Sequence, residues 1–316
     1  MRNKIKRGIF FVIGMCLCIY PIISGYIESE KQKSIIGTYE QIIAREENLE
    51  EVLRDAETYN ETLNQTKGAL VGNLHHTILS DKNYRKQLNI NGNGIMGAIE
   101  IPKIHVDLPI WHGTEEEVLS NGAGHLQGSS LPVGGESTRC VLTSHRGLPS
   151  SKLFTRLDEL KEGDLFYIHV CGEVFAYQVS TIEIIEPDEL EKLDIIAGKD
   201  MVSLVTCTPY GINTHRLVVN GERVEYREKV YERIEPKLLS FREMIFFLLP
   251  FIFIGTALVK LVIAGRRRWK VDEKQEMCRV HDTLRHGNID CGKRCKSKRR
   301  RNHTNCIGKS RRRNTK

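Results

Sequence analysis

Apolar positions along this chain follow three patterns. Residues 9–27 and 241–264 are nearly continuous apolar runs. At about 1.5 Å per residue, each is roughly long enough to cross a bilayer as a helix. Between them, from residue 97 to 226, short apolar and β-branched runs alternate with Gly, Pro, Asn and Asp turns. Candidate strands are residues 98–101, 108–111, 139–144, 165–170, 174–185, 201–206 and 217–219, with short helices at 115–120 and 153–160. Short strands at regular spacing predict an all-β barrel or sandwich. Ahead of them, Ile35, Tyr39, Ile42, Ile43, Leu49, Val52, Leu53, Ala56, Tyr59 and Leu63 recur at spacings of three and four. That is an amphipathic helix, packed on the domain or forming a stalk. Residues 68–93 are polar and weakly periodic, which reads as a loop.

Charge changes this picture by region. The formal net charge is +7, but the segment from Arg266 to Lys316 holds 19 Lys/Arg against 5 Asp/Glu, so the remainder is net −7. Basicity belongs to a tail, and nucleic-acid binding by the whole protein is excluded. A tail this polar and basic reads as disordered, with an affinity for anionic lipid headgroups. Arg2, Lys4, Lys6 and Arg7 precede the first apolar run, and Arg266, Arg267 and Arg268 follow the second. Basic flanks at both ends predict cytoplasmic termini and an exported domain between them. An uncleaved anchor fits the first run better than a signal peptide, because no A-x-A-like site follows it and Pro21 sits late in it.

The nine cysteines split in the same way: two in the first apolar run, three in the domain and four in the tail. Three domain cysteines cannot all pair with one another, so at least one thiol is free. The tail spacing Cys291-x3-Cys295 completes no zinc pattern, so neither a metal nor a cofactor is expected. Cys207 ends the apolar run 201–205 just before a Pro/Gly/Asn turn, and Arg216 opens the next run. If the two runs pair as strands, a guanidinium lies near a thiol that a loop exposes. A cation there favours the thiolate or steadies an oxyanion. A thiol nucleophile also needs an acid/base partner. His145 stands in an equivalent setting, at the end of an apolar strand before Gly147. His112, His125 and His215 compete with it, and Arg146 competes with Arg216.

The run Thr206-Cys207-Thr208-Pro209-Tyr210-Gly211-Ile212-Asn213-Thr214-His215-Arg216 resembles the Cys–Arg signature of the sortases, the cysteine transpeptidases of Gram-positive cell surfaces. His145-Arg146-Gly147-Leu148-Pro149 resembles their His segment. Ile99-Glu100-Ile101-Pro102-Lys103-Ile104 and the stretch from Gly124 to Gly135 also fit, and together they look like class C, the pilin polymerases. The resemblance implies a closed sortase-type β-barrel with short helices, with Cys207 as nucleophile, His145 as general acid/base and Arg216 as oxyanion or substrate stabiliser. It implies a structural role for His125. It also implies a lid over the active site, which in the family carries an Asp-Pro-aromatic motif. Here Ser80-Asp81-Lys82-Asn83-Tyr84 lacks the proline; Asp81 and Tyr84 are either a degenerate lid or part of a plain linker.

The expected layout is a cytoplasmic N-terminus at 1–8, an anchor at 9–27, the amphipathic helix and possible lid at 28–93, and the catalytic barrel at 94–228. A linker at 229–240, a transmembrane helix at 241–264 and a cytoplasmic tail at 265–316 complete it. The family's chemistry would cleave LPxTG-like sorting signals of pilin or surface proteins through a thioester and resolve it with a pilin lysine. A housekeeping sortase that attaches proteins to peptidoglycan and a non-catalytic, membrane-anchored binding module stay open beside it.

Overall fold

The computed structural model describes residues 2–65, 81–148, 151–236 and 241–284. Half of the expected lid, residues 68–80, and the tail from 285 onward lie outside the described residues. The chain divides into two units, Met1–Ile252 and Phe253–Lys316.

The first unit is built around an eight-stranded closed barrel. Its strands are β1 (Ile95–Ile101), β2 (Val106–His112), β3 (Ala123–His125), β4 (Thr138–Thr143), β5 (Leu165–Val170), β6 (Glu173–Ile185), β7 (Asp200–Thr208) and β8 (His215–Val224). Around the barrel they pair in the order β1-β2-β3-β4-β7-β8-β6-β5, and β5 closes on β1. Only β2–β3 and β4–β7 are parallel pairs. As a result β1, β4, β6 and β7 all end at one rim. Each strand alternates, with one face turned to the barrel interior. Ile99, Leu142, Phe166, Ile168, Leu204 and Val219 meet there in one buried cluster. Gly221 in β8 is required by that packing: a Cβ would lie 2.5 Å from the Phe166 ring.

Helices lie outside the barrel. α1 (Arg2–Ile43) is one unbroken helix, joining the apolar run 9–27 to the first part of the amphipathic stretch. That stretch breaks at 44–48, where polar Arg45-Glu46-Glu47-Asn48 interrupts the apolar spacing, and resumes as α2 (Leu49–Gln65). Ala56, Tyr59 and Leu63 bury the inner face of α2 on the barrel. Asn60 both donates to Leu131 O (3.1 Å) and accepts from Leu131 N (2.7 Å). α3 (Asp81–Tyr84) and α4 (Glu116–Asn121) are short. The helix expected at 153–160 is present only as a 3₁₀ turn, Leu157–Glu159. α5 (Glu228–Tyr231) follows β8, and Tyr231 donates to Glu100 in β1 at 2.7 Å.

α6 (Phe241–Leu284) carries the second apolar run. The segments Gly8–Ile43 and Leu248–Met277 are each long and apolar enough to cross a membrane. Side chains such as Phe10, Leu17, Leu258 and Leu261 are largely exposed. Exposed apolar residues in such number are what lipid contact requires.

Candidate active site

The residues that could carry chemistry gather at the rim where β4 and β7 end. Cys207, the penultimate residue of β7, pairs directly with Arg216 of β8. Direct partners in an antiparallel pair project from the same sheet face. The parallel β4–β7 register runs from Thr138↔Asp200 to Thr143↔Val205. The ladder continues past β4, since Ser144 N donates to Val205 O (3.2 Å) and Thr206 Oγ1 to Ser144 O (2.8 Å). Carried on by two residues, that register sets His145 opposite Cys207. Imidazole, thiol and guanidinium thus come from three neighbouring strands in one row across the sheet.

Alternation decides which face the row occupies. Cys207 projects with Val205, and Arg216 with Val218. Val205 and Val218 join Val141, Ile185 and Leu193 in an apolar cluster separate from the barrel core. The row therefore lies on the outside of the barrel, above an apolar floor. Beneath that floor Arg139 is buried: its Nε donates to Ser203 Oγ (2.8 Å), Nη1 to Asp194 O (3.0 Å) and Nη2 to Asn220 Oδ1 (2.7 Å). The contact with Asp194 ties the β6–β7 connection to the sheet beside the cleft.

Burial separates the barrel cysteines. Cys140 and Cys171 are buried free thiols, and burial raises both pKa values, that of Cys171 to about 11. Cys207 is a free thiol with partial exposure. Only it combines access to solvent with a neighbouring cation among the described barrel cysteines. Arg216 Nη1 donates to the turn carbonyls of Asn213 (3.3 Å) and His215 (3.1 Å). Among the described residues no carboxylate pairs with Arg216; Glu186 pairs instead with His215 (3.2 Å).

His145 Nε2 donates to Glu116 Oε1 (3.0 Å), at the start of α4. An acidic partner for His145 was not identifiable from sequence, because Glu115-Glu116-Glu117 reads only as favourable charge in a helix's first turn. Arg146 is no rival to Arg216. It is buried, pairs with Asp158, and donates to Thr208 Oγ1 (3.1 Å) and Cys207 O (3.4 Å). It clamps the backbone beneath the thiol.

Two of the rival histidines, His112 and His125, are structural, and the third, His215, is part-exposed and paired with Glu186. His125 is fully buried; its Nε2–H donates to Ser130 O (2.9 Å), which leaves Nδ1 to accept from the Tyr84 hydroxyl (2.9 Å). Burial lowers its pKa to about 4. His112 is buried between the carbonyls of Gly94 and Gln87, and burial lowers its pKa too. Tyr84 stacks on His125 and accepts from Gly113 N (3.0 Å), so it is a core anchor. Asp81 is exposed and pairs with Arg85 (2.8 Å), which also reaches Glu115 (2.9 Å). No group of three His, Cys, Asp or Glu among the described residues could hold a metal ion.

Residues 99–224 match the sortase domain family. The barrel resembles the crystal structure of sortase C1 from Streptococcus agalactiae, with 44% identity and a TM-score of 0.58, covering 61% of this chain and all of that one. The chain belongs to the sortase family. A second sortase C structure, from Clostridium perfringens and containing the C-terminal cell wall sorting motif, is 40% identical with a TM-score of 0.52, covering 61% of this chain and 99% of that one. Sortase A of Streptococcus agalactiae serotype III is 28% identical over 226 residues, 70% of this chain and 89% of its own length. Class C sortases stand among its structural neighbours, and this sortase is accordingly a cysteine transpeptidase with the closed barrel expected of the family.

Proposed function

We propose that this sortase joins pilin subunits outside the cell, with Cys207, His145 and Arg216 as its catalytic residues. The Cys207 thiolate attacks the Thr carbonyl carbon of an LPxTG-like signal, and Arg216 steadies the oxyanion. The Thr–Gly C–N bond breaks, His145 gives a proton to the leaving amine, and a thioester remains on Cys207. A pilin lysine amine then attacks the thioester carbonyl, His145 takes up its proton, and the C–S bond breaks to leave an isopeptide and the Cys207 thiolate.

The register that brings His145, Cys207 and Arg216 into one partly exposed row carries this reading. The higher identity to class C structures than to sortase A favours a lysine acceptor over a peptidoglycan amine. α1 and the apolar part of α6 are read as anchors with both termini cytoplasmic. The expected boundaries, including a catalytic barrel at 94–228, are retained in the same proposal.

Cys207→Ala in the full-length chain, incubated with purified pilin, is expected to give no isopeptide ladder while its thermal unfolding matches the parent. A ladder from that variant would refute the assignment. A product built on peptidoglycan amine and not on pilin lysine would support the housekeeping reading.

A further inference from the structure

The rim that carries Cys207 is also the rim from which α1 leaves the barrel. Strand directions define the two rims. β4 and β7 end, and β3 begins, at the Cys207 rim. β5 ends and β6 begins at the opposite one. α1 touches both. At the Cys207 rim, Gln32 Nε2 donates to Ser151 Oγ (3.2 Å), after β4, and to Asn121 O (3.5 Å), just ahead of β3. Lys31 Nζ donates to Asn121 Oδ1 (2.8 Å). At the opposite rim, the Tyr39 hydroxyl accepts from Cys171 N (3.1 Å), in the β5–β6 turn. Followed backwards from Tyr39 through Gln32, the helix therefore projects past the Cys207 rim. Its apolar run ends at Ile27, five residues before Gln32, a rise of about 8 Å.

The turns at the two rims differ in chemistry. The turn after β7 presents Ile212 at 67% exposure and Tyr210 at 45%. At the opposite rim, Glu173, the first residue of β6 after the β5–β6 turn, is exposed. An amphipathic tyrosine beside an exposed isoleucine is the composition that a bilayer interface accepts.

We infer that the barrel sits with its Cys207 rim facing the bilayer and that the turn at 209–212 contacts the boundary between lipid headgroups and acyl chains. The inference rests on the reading of α1 as a membrane span. It makes the lipid surface one wall of the space in front of the cleft.

Tryptophan quenching tests it. The full chain carrying Trp269→Phe, which leaves Trp111 as a constant background, is reconstituted in phosphatidylcholine–phosphatidylglycerol vesicles. The lipids carry bromine on the acyl chain near its ester end. Ile212→Trp and Glu173→Trp are compared in that background, and Leu17→Trp reports on α1 itself. Quenching at position 212 is expected to exceed that at 173 by about twofold or more, given the shallow depth of interfacial side chains. Equal or greater quenching at 173, or none at either position while position 17 is quenched, overturns the inference and leaves the anchor intact. No quenching at position 17 removes the anchor reading, and the orientation falls with it.

Discussion

Solvent access divides residues of the same type into different roles here. Cys140 and Cys171 are walled in and their pKa values are raised, so at neutral pH they stay protonated. Iodoacetamide at neutral pH is expected to alkylate Cys207 in the folded protein at least about tenfold faster than either of them, read by peptide mass spectrometry. Equal rates would mean that the barrel opens more easily than its packing implies. His125 makes the complementary case. Its pKa falls from 6.5 to about 4 on folding, because burial disfavours the imidazolium. The unfolded chain therefore binds a proton between those two pH values that the folded chain does not. Stability from this residue is complete above about pH 6.5 and is lost as pH drops toward 4, by up to roughly 3 kcal/mol. Thermal melts across that range should show a flatter pH dependence in His125→Gln than in the parent. The row of Cys207, His145 and Arg216 was legible because each ends or opens an apolar run beside a turn. Glu116 and Arg146 were not. Both act across long separations in sequence, and nothing local distinguishes them from surface charge.

Elements with strong periodicity were also the ones legible in advance. Seven of the eight strands are β-rich runs whose ends moved by a few residues. β3 carries no sequence signal, because Ala123-Gly124-His125 has neither alternation nor β-branched residues; its neighbours β2 and β4 make it a strand. α3 was hidden in a polar stretch for a similar reason. Its four residues have no intrinsic claim to be helical, and nucleation of so short a helix is unfavourable alone. Tyr84 holds it, through a fully buried ring and a hydroxyl that bonds both Gly113 N and His125 Nδ1. Tyr84→Phe keeps the ring and leaves those two groups without their partner, at a cost of about 1–3 kcal/mol. Thermal unfolding should therefore shift downward by several degrees. An unchanged midpoint would mean that packing alone fixes this turn.

On the scale of the whole first unit, α1 is both anchor and part of the folded domain. The sequence pattern separates an apolar run from an amphipathic helix and leaves open whether the latter packs or merely spaces. The coordinates join them into one helix whose last turns are core. Tyr39 is 7% exposed, packs in a cluster with Ile43 and Ile95, and bonds Met96 O (3.2 Å) as well as Cys171 N. Its hydroxyl thus links β1 to the β5–β6 turn, two strands that also pair with each other at the barrel's closure. Tyr39→Ala deletes a buried ring and leaves both backbone groups short of a partner, so the expected loss is about 3–5 kcal/mol. Tyr39→Phe retains the ring and isolates the hydroxyl's share, expected at about 1–2 kcal/mol. Both are measured by unfolding the full chain in detergent, where membrane insertion does not contribute. A stalk would tolerate both changes with no shift. If the alanine variant melts with the parent, the docked turns of α1 contribute nothing to barrel stability, and the fixed geometry between anchor and cleft loses its support.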